Sequence, residues 1–327
     1  MNIVGIDIGY SNLKVAYGQN NNSESPKTVL RPAGAAPVDC FGSRIDGKDN
    51  EDFLKVTVKG KSFVAGVSSD RAQMWSRSLH AEYSSSDSYQ ALFKAGLLLT
   101  GMEHIDILIT GLPVSQSLNE KRKNALIHSM TGIHEISPGK TVRVKEVNVV
   151  SQPIGGFLDF ISRSNEDIED ASILVIDPGF FSVDWVVISN NEIHKHSSGT
   201  SLTASSVLLE EAARLISKDH GTEVSAEIIE NAIRKNKTTI LVIGQRVEIA
   251  SYLNRAKNSI GPVVTEEIQK SLRKENKMVD LVVMVGGGAS FFMDAIKDAF
   301  PRLKILMTRD AVYSNCRGFW MMGAATE

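Results

Sequence analysis

The sequence predicts an α/β protein built from two similar halves, and three observations predict it. Strand-like and helix-like hydrophobic patterns alternate along the 327 residues. A strand–turn–strand pattern near the N-terminus recurs about half a chain later. The length corresponds to two domains at ~150 residues each, ample for a buried core. Two such halves facing each other would leave a cleft, where proteins commonly bind ligands.

Composition and charge narrow the class further. Apolar residues make up 42% of the chain and charged residues 23%, which excludes disordered and fibrous proteins. Lys and Arg number 36 against 38 Asp and Glu, so a surface coated in positive charge for DNA or anionic lipid is not expected. The cysteines, Cys40 and Cys316, are too few for a disulfide scaffold, which favours a cytoplasmic location. No apolar run approaches ~18 residues, so we expect no membrane association.

The first half is predicted to be rich in strands. Strands at 2–8 and 12–18 flank a turn that contains glycine. The stretch 20–50, rich in Asn, Ser, Gly and Pro, indicates loops, with a strand near 27–31. The other predicted elements are strands at 54–59, 62–66, 104–110 and 141–150, and helices at 87–100, 119–130 and 152–162.

The second half repeats the opening pattern after a polar run at 164–170. Strands at 172–177 and 182–188 again flank a turn with glycine. The other predicted elements are strands at 192–198 and 281–285, and helices at 201–217, 225–235, 262–275, 289–300 and 310–325. Ser201 or Thr203 is the expected N-cap of the first of these helices.

The domain prediction follows from the polar run and the repeat. One domain is expected over 1–160, completed by the C-terminal helix at about 310–327. The second domain is expected over 161–309.

Each repeated hairpin carries an aspartate followed by a glycine two residues later. Asp7 and Asp177 end their strands, where a carboxylate is costly unless it is solvated, paired or holding a cation. Gly9 permits a turn with positive φ and a close backbone approach to a ligand, and Gly179 repeats it. Successive turn amides can then point at one anion. A polar turn explains either hairpin alone, but the pair in matching context favours phosphate binding.

Further polar residues extend both turns. Ser11 and Asn12 add donors, and Lys14 would point back at the same anion from the second strand. Ser182 and Asp184 occupy the second turn and its following strand. These groups suit a triphosphate with Mg²⁺ held through water by the first aspartate. The triple glycine 286–288 would let a base or ribose lie against the backbone at a helix start, although a tight strand-to-helix turn explains it equally well.

With these motifs the chain resembles the superfamily of actins, heat-shock chaperones and sugar kinases. Within it, the chain is similar to the bacterial plasmid-segregation actins of the ParM/StbA family. The resemblance implies an actin-like (ribonuclease H-like, duplicated) fold with two lobes around a nucleotide cleft. Five elements carry it, in order and across nearly the whole chain: Gly5–Lys14, Val149–Gly156, Ile176–Asp184, Val285–Ala289 and Tyr313–Phe319.

The resemblance also implies roles for residues, with ATP and Mg²⁺ as cofactors. Asp7 and Asp177 would organise Mg²⁺, through water, for catalysis. Gln152 would position the attacking water without acting as a strong base, unless it is simply a polar residue at a helix start. Glu211, or its neighbour Glu210, would meet the ribose. The nucleotide contacts implied are Gly9, Tyr10, Ser11, Asn12, Lys14, Gly179, Phe180, Ser182, Glu211, Gly286, Gly287, Gly288 and Ser290.

Two departures from the family pattern bear on hydrolysis. The second loop reads Asp-Pro-Gly-Phe-Phe-Ser, where the family has Asp-x-Gly-Gly-Thr-Thr. Phe180 and Phe181 therefore leave fewer flexible amides for phosphates, or else pack in the core while the backbone still donates. Gln152 stands where several segregation actins carry Glu, which puts the hydrolysis rate in question.

The resulting functional hypothesis is an ATPase, with GTP as an alternative nucleotide, that self-associates into filaments. The resemblance implies that such filaments move plasmid DNA indirectly, through a centromere-binding adaptor of the ParR/StbB kind. One alternative is a small-molecule kinase of the same superfamily, which needs an aspartate base. The segment at Gln152 offers no aspartate until Asp159, about two helical turns away, which disfavours this alternative, although Asp184 could be recruited. A regulatory nucleotide-binding module without turnover is the other alternative.

Overall fold

The chain divides into two compact units. The computed structural model describes residues 1–20, 25–42, 52–68, 71–72, 82–166 and 168–326. Unit 1 comprises Met1–Asp167 and Thr308–Glu327, and unit 2 comprises Ile168–Met307.

Strands form the centre of both units. Those of unit 1 are β1 (Asn2–Ile8), β2 (Asn12–Gln19), β3 (Lys27–Pro32), β4 (Gly34–Pro37), β5 (Leu54–Val58), β6 (Lys61–Val67), β7 (His104–Leu112), β8 (Gly132–Ser137) and β9 (Lys140–Ser151). Those of unit 2 are β10 (Ile173–Pro178), β11 (Val183–Ser189), β12 (Glu192–Ile193), β13 (Gly199–Ser201), β14 (Thr239–Val242), β15 (Gln245–Glu248), β16 (Leu281–Met284) and β17 (Lys304–Met307).

Helices connect several of the strands in both units. In unit 1 they are α1 (Asp87–Thr100), α2 (Val114–Ser117), α3 (Glu120–Met130) and α4 (Gln152–Arg163). In unit 2 they are α5 (Ser205–His220), α6 (Ala226–Arg234), α7 (Ala250–Lys274) and α8 (Ala289–Ala299). The chain then returns to unit 1 with α9 (Ser314–Ala324). Among the described residues, no helix has the length and hydrophobicity needed to cross a bilayer.

Unit 1 is built on a six-stranded sheet in the order β3-β2-β1-β7-β9-β8. Its central strand β1 is buried along nearly its whole length, as expected for a strand covered on both faces. Ile6 lies on the face that packs with α1, whereas Ile3 lies on the opposite face, with Trp320 of α9. Because side chains alternate along a strand, Asp7 shares the face of Ile3 and points to the side that α9 covers.

Unit 2 repeats this arrangement in the order β12-β11-β10-β16-β17, with β13 pairing to β11. β10 is antiparallel to β11 and parallel to β16, as β1 is antiparallel to β2 and parallel to β7. The order β2-β1-β7-β9 thus corresponds to β11-β10-β16-β17, as the repeated hairpin predicts. A two-stranded sheet, β14-β15, packs its buried side chains with α5 and α6.

Several predicted elements need correction in unit 2. The strand predicted at 192–198 is confirmed only at Glu192–Ile193, because a turn separates β12 from β13 and the amide of Ser197 donates to the carbonyl of His194. The helix predicted from residue 201 begins at Ser205, since Ser201 belongs to β13. The N-cap of α5 is Ala204, so the prediction of Ser201 or Thr203 is wrong.

Other differences concern helix starts and short strands. The helix predicted over 262–275 begins at Ala250 and carries Pro262 in its interior, where a helix start was expected. The last helix begins at Ser314, because Asp310 has a φ of 50° and a 3-10 turn follows it. Strands β4, β8, β14, β15 and β17 were not predicted.

Candidate functional site

The first Asp-x-Gly turn, between β1 and β2, holds a buried and paired carboxylate. Asp7 is 1% exposed and lies directly opposite Lys14 in the antiparallel register. The ammonium of Lys14 is 2.8 Å from Asp7 Oδ2, and Gln152 Nε2 donates to Asp7 Oδ1 at 3.1 Å. The predicted residues Asp7, Lys14 and Gln152 therefore meet at one point. The cation and the amide offset the cost of burying the charge.

Gln152 reaches this carboxylate because β9 ends directly before α4. Pro153 at the start of α4 is pre-organised for a helix and has no amide hydrogen that would need a partner. Gly111 on the neighbouring strand β7 makes the required space. A β-carbon there would lie 2.8 Å from Gln152 Cγ and 2.5 Å from Phe319 Cζ. The close packing of a strand glycine therefore positions the first residue of α4.

The turn itself is closed by the backbone of Gly9, whose amide donates to the carbonyl of Asn12 at 3.0 Å. Asn12 Nδ2 also approaches Ser11 Oγ at 3.4 Å. The prediction of a positive φ at Gly9 is wrong, since it is not among the residues with positive φ. The requirement is steric instead, because a β-carbon would lie 3.2 Å from Lys14 Nζ and 3.3 Å from the Asn12 carbonyl.

Tyr10, the next residue of this turn, packs within an aromatic cluster. Its ring stacks on Tyr83 with centroids 4.3 Å apart, and Tyr83 meets Tyr89 edge to face. Burial raises the pKa of Tyr10, so the phenol stays neutral at physiological pH. The structure thus places the Tyr10 ring as an apolar wall beside the turn.

The second Asp-x-Gly turn, between β10 and β11, is closed by the same backbone hydrogen bond as the first. The amide of Gly179 donates to the carbonyl of Ser182 at 2.8 Å, and Asp177 lies opposite Asp184 in the register. Asp184 is buried, and its two carboxylate oxygens accept from Ser182 Oγ and Thr200 Oγ1, each at 2.6 Å. Two carboxylates therefore occupy the positions that Asp7 and a lysine occupy in unit 1.

The triple glycine packs directly against this second turn. Gly286 has a φ of 76°, and a β-carbon at this residue would overlap Asp177 Oδ1. The amide of Gly288 donates to the carbonyl of Pro178 at 2.8 Å. Two of the sequence-predicted elements of unit 2 are thus brought together, while Gly287 and Ser290 remain exposed.

Two further residues of the predicted site, Phe180 and Glu211, each have a partner within unit 2. Phe180 packs against the core of unit 2, one of the two outcomes expected for it. Glu211 binds the guanidinium of Arg214 through two bonds of 2.7 and 2.8 Å. That bond holds the pKa of Glu211 below its usual value. The proposed ribose contact of Glu211 stays a prediction.

Sequence analysis missed Ser205, the first residue of α5. Its amide lies 3.4 Å from the carbonyl of Gly179, and its Oγ lies 2.6 Å from where a β-carbon of Gly288 would be. The signal that could have found it is a serine at a helix start after a repeated hairpin. That signal was assigned to Ser201 and Thr203 instead.

The aspartates of the two turns suit a Mg²⁺ ion that takes some of its coordinating oxygens from a bound ligand. Among the described residues, no group of three or more His, Cys, Asp or Glu side chains could hold a metal ion alone. Mg²⁺ commonly binds through one or two carboxylates together with water and substrate phosphates. Asp7 in unit 1 and Asp177 in unit 2 each offer one buried carboxylate, and a single carboxylate suits this mode of binding.

A buried ion pair fastens α4 to α9. Asp159 is fully buried, and Arg317 donates to its two oxygens at 2.7 and 2.6 Å. The helices also touch through glycines, since a β-carbon at Gly318 would overlap the carbonyl of Gly155. The helix that carries Gln152 is therefore held against the C-terminal helix within unit 1.

Family models match both parts of the chain. The model "Actin like proteins N terminal domain" matches residues 5–155. The model "Archaeal actin homologue MreB-like, C-terminal" matches residues 175–298. No curated protein matches the chain in sequence.

Solved structures are similar along nearly the whole chain. An archaeal actin homologue, Ta0583, in complex with ADP has 17% identity and a TM-score of 0.77, with 99% of each chain covered. A non-polymerisable quadruple mutant of pCBH ParM has 18% identity and a TM-score of 0.78, with 98% of each covered. A 15-stranded ParM filament from Clostridium botulinum has 16% identity and a TM-score of 0.73, with 98% of each covered. These matches confirm the predicted fold class.

Proposed function

We propose that this chain, which belongs to the actin-like proteins, is an ATPase that assembles into filaments when it binds nucleotide. The observation that carries the proposal is the buried carboxylate of Asp7, held between the Lys14 ammonium and the Gln152 amide beside a glycine turn. Structural residues rarely need a buried, charge-paired acid at the end of a strand, whereas phosphate and cation sites do.

Each residue of the first turn has a distinct proposed role. Gly9 lies against the Lys14 ammonium, and we propose that this ammonium and the turn amides near Gly9 meet the phosphate oxygens. Gln152, fixed by Asp7, orients a water molecule for attack and does not remove its proton itself. The turn of unit 2, with Asp177 and Gly179, is proposed to contribute further phosphate contacts.

The acids Asp7 and Asp177 are proposed to hold Mg²⁺ through water. The bound ion supplies charge neutralisation of the phosphate oxygens. The chain's own part is to keep both carboxylates buried at the ends of β1 and β10.

Filament formation and its use are the finer part of the proposal. The similar solved structures include a ParM filament, which supports self-association of this chain. A head-to-tail contact that does not close on itself generates such a filament. We further propose that the filament moves plasmid DNA in the cytoplasm through a ParR/StbB-like adaptor. The net charge of −2 agrees with DNA contact through an adaptor.

The kinase alternative is weakened by the surroundings of its candidate bases. Asp159 is fully buried and bound to Arg317. Asp184 accepts hydrogen bonds from two hydroxyl groups. Neither is placed to deprotonate an acceptor hydroxyl without breaking those bonds.

The test pairs light scattering with phosphate release on the purified chain, with Mg²⁺-ATP, Mg²⁺-GTP or no nucleotide. We expect scattering to rise above a critical concentration and phosphate release to follow. Asp177→Ala should abolish both signals. Asp298→Ala, which changes an exposed aspartate of α8 in the same unit, is the matched control and should retain both.

Other results would identify the alternatives. Phosphate release that needs an added hydroxyl compound, without scattering, would replace the proposal by the kinase. Tight nucleotide binding with neither signal would indicate the regulatory module.

A further inference from the structure

The N-terminus of α5 carries a buried hydroxyl with no partner. Ser205 is 4% exposed, and its Oγ makes no hydrogen bond within the part of the chain that the structure describes. The preceding residue, Ala204, is the N-cap and offers no side chain that could cap the helix. The 16-residue helix therefore begins without a side-chain cap, beside an unused hydroxyl.

This hydroxyl points into the elements that make up the unit 2 site. A β-carbon added at Gly288 would lie 2.6 Å from Ser205 Oγ and 2.6 Å from the carbonyl oxygen of Pro178. The amide of Ser205 is 3.4 Å from the carbonyl of Gly179. One serine thus touches both the glycine loop and the second Asp-x-Gly turn. A side chain larger than hydrogen at residue 288 would fill the space in front of the hydroxyl.

The energetics point to a ligand. An unpaired buried hydroxyl is destabilising, so such groups normally have a partner in the functional state. The N-terminal end of a helix carries a partial positive charge that favours an anion. A hydroxyl can donate to an anionic oxygen, whereas the neighbouring carbonyls of Pro178 and Gly179 can only accept.

We propose that Ser205 Oγ donates a hydrogen bond to a phosphate oxygen of a bound nucleoside diphosphate or triphosphate. The inference rests on the proposed function and adds a binding residue to unit 2. The proposed contact lies at the first residue of α5. The family resemblance instead pointed to Glu211, six positions later on the same helix.

The experiment measures Mg²⁺-ADP affinity and the melting temperature of the nucleotide-free chain for Ser205→Ala. We expect the Kd for Mg²⁺-ADP to rise roughly tenfold, the usual loss for a hydrogen bond to a charged group. The melting temperature of the nucleotide-free variant should equal or exceed that of the wild type. Alanine removes the unpaired hydroxyl and favours a helix. Ser206→Ala, a neighbouring serine of similar burial, is the matched control and should leave the Kd unchanged.

Three results would overturn the inference. An unchanged Kd would mean that the hydroxyl binds water or nothing. A lower melting temperature without nucleotide would mean that it has a partner inside the protein. An equal loss of affinity in Ser206→Ala would mean that the helix end as a whole is responsible. If the wild-type protein binds no Mg²⁺-ADP, the proposed function fails together with this inference. If the wild-type protein binds Mg²⁺-ADP and any of the three results is found, only the Ser205 contact is refuted.

Discussion

The two Asp-x-Gly turns have the same backbone hydrogen bond but differ in the charge of the residue opposite the aspartate. In both, the glycine amide donates to the carbonyl three residues later, at 3.0 Å in unit 1 and 2.8 Å in unit 2. Across the strands, Asp7 faces a lysine, whereas Asp177 faces a second aspartate. The first turn is balanced by a cation, and Asp184 in the second is satisfied by two neutral hydroxyls.

The difference shows that a repeated hairpin can keep its backbone while the charge of its cross-strand partner changes. The backbone depends on the pattern of glycine and buried strand, which both halves keep. The cross-strand partner is free to change, because it alters the charge and leaves the pairing intact. The second turn is instead supported by the glycine loop, which leaves no room for a side chain against Asp177.

The largest effect is expected from Lys14→Met in the first turn. Removing the ammonium leaves the buried Asp7 carboxyl without its cation, while the hydrogen bond from the Gln152 amide remains. We expect a loss of about 4 kcal/mol in the free energy of unfolding, measured by urea denaturation. Combining the change with Asp7→Asn should restore much of that loss. A double variant as unstable as the single one would show that packing of the lysine chain, not its charge, supports the turn.

The glycine loop of the second turn gives the next effect. Gly286→Ala places a side chain on a residue with a φ of 76°, which strains the backbone. The added methyl group would also overlap Asp177 Oδ1. We expect a loss of about 3 kcal/mol in stability. In the first turn, Gly9→Ala meets the flexible end of Lys14 and should cost about 1 kcal/mol. Equal losses, read from thermal unfolding of both variants, would contradict the idea that the turns are supported differently.

Thr200→Val tests the neutral partners of Asp184. The buried carboxylate loses one of its two hydroxyl donors while side-chain volume is kept. We expect a loss of about 2 kcal/mol in the free energy of unfolding. The same substitution on an Asp184→Asn background should cost clearly less. Independent, additive losses in this double-mutant cycle would show that the bond contributes nothing.

The smallest effect comes from making the first turn acidic like the second. Gln152→Glu brings a second carboxylate against Asp7 and should cost about 1 kcal/mol at neutral pH. Like charges raise the carboxyl pKa in the folded state, so this loss is full above the raised pKa, fades as the pH falls through it, and is gone below the ordinary carboxyl pKa of ~4. Gln152→Met, which removes the amide without adding charge, is the control. Its stability loss should depend less on pH, because this variant loses only the hydrogen bond to Asp7. The same pH profile in both variants would refute the explanation.

Much of the fold followed from local pattern. Helix α1 was predicted with its observed ends, because Ser86 caps it and Gly101 ends it in the left-handed conformation. The misses share another cause. Pro262 lies inside a long helix, and the short strand β17 pairs with β16 across intervening helix α8. In both cases packing from distant parts of the chain outweighed the local signal.

The candidate site divides in the same way. The sequence placed Asp7 and Lys14 on the two strands of one hairpin, and the structure shows that they face each other in register. The hydrogen bond between Gln152 and Asp7 joins residues 145 positions apart. No local rule relates these two residues, and Gln152 was assigned to the site only through resemblance to a family.

The sequence by itself determined the repeated hairpins, their aspartates and glycines, and the α/β class. Each of these depends on residues close together in the chain, through strand periodicity and turn chemistry. The tertiary structure alone decided that Glu211 binds Arg214, that Asp159 binds Arg317, and that Ser205 borders Gly288. Those outcomes depend on which helix faces pack together, and side-chain geometry at that level is set by the whole core.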